Sequence, residues 1–328
     1  MTAFSTTKAL LAAAGLALSA APALAETAWT MASGYPDSNF LTQNLQQFIA
    51  DVDAGTGGEV RIALHSNGTL MKLDAIRRAV QTGQVQIGEI RLGSYSNEDP
   101  MYNLAGLPFV AGDYDAAWAL MEAQKPYFDA LFDRIGLKVL AYQPWPGQGF
   151  YTKTPVSGLA DFQGQKLRIY SRATQDMGNA LGFEATILPF AEIPQAFATG
   201  LIDALFTSPQ TGIDIQAWDN TGYFTAAGAI YTKNAIIVNK ETFEALPAGT
   251  QAALLAAGEA ATRRGWEMSK ATYSDQLGIL EENGMTVEDA PEEVIARLKE
   301  IGADMMEDWQ ASASPEAIAV LETYRAGL

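Results

Sequence analysis

A guanidinium inside an apolar strand is the most chemically pointed feature of this chain. Arg168 stands in Lys166-Leu167-Arg168-Ile169-Tyr170, a run whose residue types predict a strand. Its planar fork of donors matches a carboxylate through two parallel hydrogen bonds. That carboxylate belongs either to a ligand or to one of the chain's own Asp and Glu residues, and spacing alone leaves both open. Glu89 and Arg91 close a second apolar strand, Val85 to Ile90, where a solvated edge is the simpler reading. If Glu89 faces a cleft instead, it favours a hydroxyl or ammonium group on the ligand. The run from Pro144 to Tyr151 gathers Trp145, Gln148, Phe150 and Tyr151 among backbone-shaping Pro and Gly. Such rings either wall a ligand or fill an interlobe core.

Signatures of catalysis are missing. There is no Gly-x-Ser-x-Gly, no His-Glu-x-x-His, no phosphate loop ending in Gly-Lys-Ser/Thr, and no Gly-x-Gly-x-x-Gly between strand and helix. His65 is the only histidine and shares its strand face with Arg61, which suits a solvated structural role better than a base or ligand. With no cysteine at all, thiol catalysis and Cys-metal sites are excluded and no cofactor is expected. Pairs of carboxylates are uninformative among 38 Asp and Glu, because some fall close together by chance.

The elements that must position these residues come in two similar sets. A strand near Trp29–Met31 is followed by helical spacing at Leu41, Leu45, Phe48, Ile49 and Val52, and then by a strand at Val60, Ile62 and Leu64. A helix through Ala75–Gln81 and the strand Val85–Ile90 complete the first set. The second runs strand Lys166–Tyr170, helix Thr174–Leu181, strand Ala185–Leu188, helix Ile193–Thr199, strand Ile202–Phe206. Both are the grammar of a parallel α/β sheet. Ala79-Val80-Gln81-Thr82-Gly83 and Ala196-Phe197-Ala198-Thr199-Gly200 match, each glycine sitting where a left-handed C-cap stops a helix. Tyr231–Val238 reads as a further strand, and Pro247 to about Glu282 as one long helix.

At 328 residues the chain exceeds what a single core usually serves, so two lobes are expected. Lys8, the apolar run Ala9–Ala25 and the closing Ala-Leu-Ala predict an export signal over residues 1–25, cleaved before Glu26. A net charge of −17 repels nucleic acid and anionic membranes. An anionic ligand therefore needs a local cationic site.

Taken in order, Leu107-Pro108-Phe109, Asp161-Phe162-Gln163-Gly164-Gln165-Lys166-Leu167-Arg168, Leu181-Gly182, Pro189-Phe190-Ala191-Glu192 and Ala196 to Asp203 resemble the solute-binding proteins of tripartite ATP-independent periplasmic (TRAP) transporters. The resemblance covers essentially the whole exported chain. It implies an α/β, two-lobe periplasmic binding protein fold with a long helix spanning both lobes. It places residues 26–147 and 234–272 in lobe I, and 148–233 and 273–328 in lobe II. It implies a monomeric periplasmic receptor that passes a small organic acid to a TRAP-type permease, with Arg168 holding the ligand carboxylate. Many members carry a second arginine where this chain places Gln148 or Tyr151, and an asparagine where Thr207 or Ser208 falls. With Trp145, Tyr170, Phe150 and Phe206 nearby in sequence, a monocarboxylate with an aromatic or apolar body is the expected ligand. The alternatives are a secreted carboxylate-based hydrolase, an amine or amino-alcohol receptor using Glu89, and a sensor of the same fold.

Overall fold

The computed structural model describes residues 27–327. The export signal expected over 1–25 and its cleavage before Glu26 lie outside the described residues. Two sheets organise the chain. The first contains β1 (Thr27–Ala32), β2 (Val60–His65), β3 (Ile87–Arg91), β4 (Leu137–Pro144) and β10 (Lys233–Asn239), in the order β2-β1-β3-β10-β4. The second contains β5 (Gly149–Thr152), β6 (Lys166–Ile169), β7 (Glu184–Ile187), β8 (Ala204–Thr207), β9 (Tyr223–Ala226) and β11 (Thr286–Asp289), in the order β11-β9-β5-β8-β6-β7.

The duplication read from the sequence is a duplication of topology. β2-β1-β3 and β7-β6-β8 are parallel triplets with the first strand in the middle. Each triplet is extended by an antiparallel strand that the chain enters from the other sheet, β10 beside β3 after β9 and β5 beside β8 after β4. The chain therefore crosses between lobes twice in quick extended passes, Trp145–Gln148 after β4 and Ala227–Thr232 before β10. Gly83 and Gly200 both have positive φ, 72° and 67°, as the matched helix ends required.

A single helix, Ala248–Glu282, packs on the helix Phe40–Gly55 and on β4 in the first lobe, then on the helix Pro209–Asp214 and on β11 in the second. Its 35 residues reach about 50 Å at 1.5 Å per residue, enough to brace both. Gly258 lets it approach β4, since a Cβ there would lie 2.0 Å from the Leu140 carbonyl oxygen.

The C-terminal segment departs from the expected division. Helix Glu292–Ser312 puts Val294, Leu298 and Ile301 into the second-lobe core, but Met306 and Trp309 into the first. Helix Pro315–Ala326 then packs Ala317, Leu321 and Tyr324 against the helix Tyr114–Arg134. The final helix thus belongs with the first lobe and not, as 273–328 implied, with the second. The apolar stripe of Glu292–Ser312 is long enough to bridge two cores, and nothing in its periodicity marks where one stops.

Candidate functional site

Open α/β sheets present ligand sites beyond the carboxyl ends of their parallel strands, and the residues found there converge. Tyr35 follows β1, Arg91 ends β3, Arg168 and Tyr170 lie on and just after β6, Phe190 follows β7, and Thr207 and Ser208 end β8. Trp145 and Gln148 come from the first interlobe crossing and Thr232 from the second. With Thr211 these residues line one tight cavity between the lobes, with about 20 Å³ of open room. Both lobes close over it: the rings of Tyr35 and Phe190 meet edge-on at 5.6 Å, and Asn39 Nδ2 donates across the gap to Asp214 Oδ2 at 2.7 Å.

Arg168 is 1% exposed. Its Nε donates to the Leu188 carbonyl at 3.1 Å, and among the described residues it has no carboxylate partner and no other hydrogen bond. Arg91 gives hydrogen bonds to Ser94 Oγ (Nε at 3.1 Å, Nη2 at 2.9 Å) and from Nη2 to the Tyr170 carbonyl at 3.1 Å, again without an ion pair. Both guanidiniums lie near the Tyr170 ring, at 5.2 Å for Arg91 and 5.9 Å for Arg168. Burial, and then the neighbouring charge of Arg91, push Arg168 down to about 9. Two guanidiniums thus face one cavity, neither of them ion-paired with a carboxylate among the described residues.

The rest of the lining is neutral and fixed. Tyr170 donates its hydroxyl to Gln148 Oε1, and Gln148 Nε2 donates to Thr232 Oγ1 at 3.1 Å. Trp145 stacks edge-on against Tyr35 at 5.0 Å and donates Nε1 to Asn234 Oδ1 at 2.9 Å. Ser208 caps the helix Pro209–Asp214, accepting from the Thr211 backbone N–H.

Of the nine residues expected at a site, six line this cavity: Arg168, Trp145, Gln148, Tyr170, Thr207 and Ser208. Three do not. Phe206 points into the second-lobe core, 4.9 Å from Phe150. Tyr151 lies on the opposite face of its sheet, packed 4.7 Å from Phe224 and donating its hydroxyl to the Ser208 carbonyl at 3.1 Å. Both are turned away because successive side chains on a strand face opposite sides, whereas the cavity sits at the strand ends. Glu89 lies behind the wall, fully buried, accepting from Ser33 Oγ at 2.6 Å, Gln143 Nε2 at 3.1 Å and Asn234 Nδ2 at 3.0 Å. Burial raises its pKa, and through Asn234 it fixes Trp145. Tyr35, Arg91, Phe190, Thr211 and Thr232 were missed; for Arg91 the signal was present as a cation at the end of a buried strand.

The model of the family described as bacterial extracellular solute-binding protein, family 7, matches residues 31–313. The C4-dicarboxylate-binding periplasmic protein DctP of Rhodobacter capsulatus is 27% identical over 237 residues, 70% of each chain. Among solved structures, DctP7 of Bordetella pertussis, an extracytoplasmic solute receptor binding pyroglutamic acid, is 41% identical with a TM-score of 0.89, over 91% of this chain and 99% of that one. A marine-metagenome TRAP solute-binding protein specific for pyroglutamate is 35% identical, TM-score 0.89, over 92% and 99%.

Proposed function

The chain belongs to family 7 of the bacterial extracellular solute-binding proteins, the receptors of TRAP transporters, and on that premise we propose that it captures pyroglutamate or a close lactam carboxylate. The observation that carries this reading is Arg168, buried in an interlobe cavity without a protein carboxylate. A ligand carboxylate supplies the missing partner, and the hydroxyls of Thr207, Ser208, Thr211 and Thr232 with the Gln148 amide suit a small polar ring. The two structures named for pyroglutamate support it at 41% and 35% identity. Phe150 and Phe206, which favoured an aromatic acid in the sequence, lie in the core and not at the cavity.

The bound acid is handed to a TRAP-type permease in the periplasm, and the receptor works as a monomer without turning its ligand over. The amine alternative lost its anchor when Glu89 proved to be behind the wall. Residues 1–25 are the export signal; mass spectrometry of the periplasmic protein is expected to find Glu26 first, and an intact Met1 would count against export.

A thermal-shift comparison tests the ligand. Pyroglutamate at a hundredfold excess over its dissociation constant adds about 2.7 kcal/mol of stability, so melting rises by several degrees. No shift with pyroglutamate, against a clear one with succinate or benzoate, would overturn the assignment.

A further inference from the structure

Arg91 and Arg168 belong to different sheets, and they meet only because the lobes are closed. Arg91 ends β3 of the first sheet and Arg168 lies on β6 of the second. In the closed arrangement both approach the ring of Tyr170, within 5.2 and 5.9 Å. Neither has a carboxylate partner among the described residues. The carboxylate nearest in sequence, Glu89, is committed to Ser33, Gln143 and Asn234. Two like charges brought together in a site shielded from water repel far more strongly than in solvent.

We propose that these two arginines form an electrostatic gate: their repulsion holds the empty cleft open, and an anion lodged between them is what makes closure favourable. The gate rests on the reading of the cavity as an anion site. Contacts that favour closure exist without ligand, namely Asn39 to Asp214, Tyr35 to Phe190, and Arg91 Nη2 to the Tyr170 carbonyl. Repulsion between the arginines opposes them, so the empty receptor is kept from collapsing onto water or a neutral solute. The lowered pKa of Arg168, with Arg91 as its second cause, agrees with that balance. Arg91 is in this sense a selectivity residue, since it penalises closure on anything uncharged.

The chain contains no cysteine, so a pair introduced at two exposed rim positions, Leu70→Cys on the first lobe and Glu192→Cys on the second, takes spin labels cleanly. Interlobe distances are then measured by pulsed electron resonance without ligand. The wild-type background is expected to be mainly open. Arg91→Gln and Arg168→Gln should each raise the closed-to-open ratio by about tenfold, the equivalent of one pKa unit of repulsion. The double variant should close no further than either single one, because one cation alone has nothing to repel. Arg91→Lys keeps the charge and should stay open. Unchanged distances in both Gln variants, or Arg91→Lys closing as far as Arg91→Gln, would overturn the gate. If pyroglutamate leaves the wild type open while the Gln variants close, the ligand assignment fails and the gate stands.

Discussion

Arg168 holds a charge where water has little access and no carboxylate answers it, and this makes its substitution informative. Desolvating an unpaired charge costs several kcal/mol, a cost that an apolar side chain of similar length does not carry. Arg168→Met is therefore expected to melt, ligand-free, at or above the wild-type temperature. Its affinity should fall by at least about thirtyfold, because truncating one side of a buried charge pair typically costs about 2–5 kcal/mol. Calorimetry and a melting curve on the same sample check both, and a destabilised variant with normal affinity would return Arg168 to a structural role. The sequence made this residue legible because a guanidinium inside an apolar strand demands a partner. Arg91 was ambiguous for a physical reason: at the end of a strand, solvent satisfies a cation as well as a ligand does. Only the meeting of β3 with β6 across the cleft separates the two.

Strands β5 and β8 explain why aromatic candidates misled. Phe150 and Tyr151 are neighbours in sequence and point to opposite sides of the second sheet, Phe150 into one core and Tyr151 into the other. Thr207 and Ser208 reach the cavity because they lie where β8 ends. Composition identified ring-rich segments; which ring faces what depends on sheet order, and the antiparallel insertion of β5 beside β8 has no local signature. The long helix was legible because its pattern is local, but that pattern does not show what stands beside its glycines. They differ sharply in surroundings. Gly258→Ala drives a Cβ against the Leu140 carbonyl and should cost about 1–3 kcal/mol as overpacking. Gly278→Ala meets nothing within 4 Å and should gain about 0.5–1 kcal/mol from helix propensity. Urea unfolding of the two variants gives the comparison, and equal effects would contradict the tight seam between helix and β4.

Closure of the whole molecule also moves a proton. Asp214 bridges the lobes by accepting from Asn39 Nδ2 at 2.7 Å, while Gln210 Nε2 donates to its other oxygen at 2.8 Å. Burial outweighs both donors and pushes Asp214 up to about 7. Opening removes Asn39 and admits water, returning the carboxyl toward the ordinary value of about 4. The sign follows from linkage: the closed state holds a proton that the open state has lost, so closure takes up a proton between about pH 4 and 7. This contribution to ligand affinity is fully present at the acid end and is lost as pH rises through about 7. Other buried groups do not imitate it. Glu89 keeps its partners Ser33, Gln143 and Asn234, all anchored in or beside the first sheet, whether the cleft is open or shut. Lys233, pushed down to about 7 by burial, would release a proton on further burial, which is the opposite sign. Calorimetric titration at pH 6 in buffers of different ionisation enthalpy should therefore report net proton uptake on binding, and Asp214→Asn should abolish it. Binding at pH 6 without proton uptake, or with the same uptake in Asp214→Asn, would show that Asp214 does not couple closure to pH.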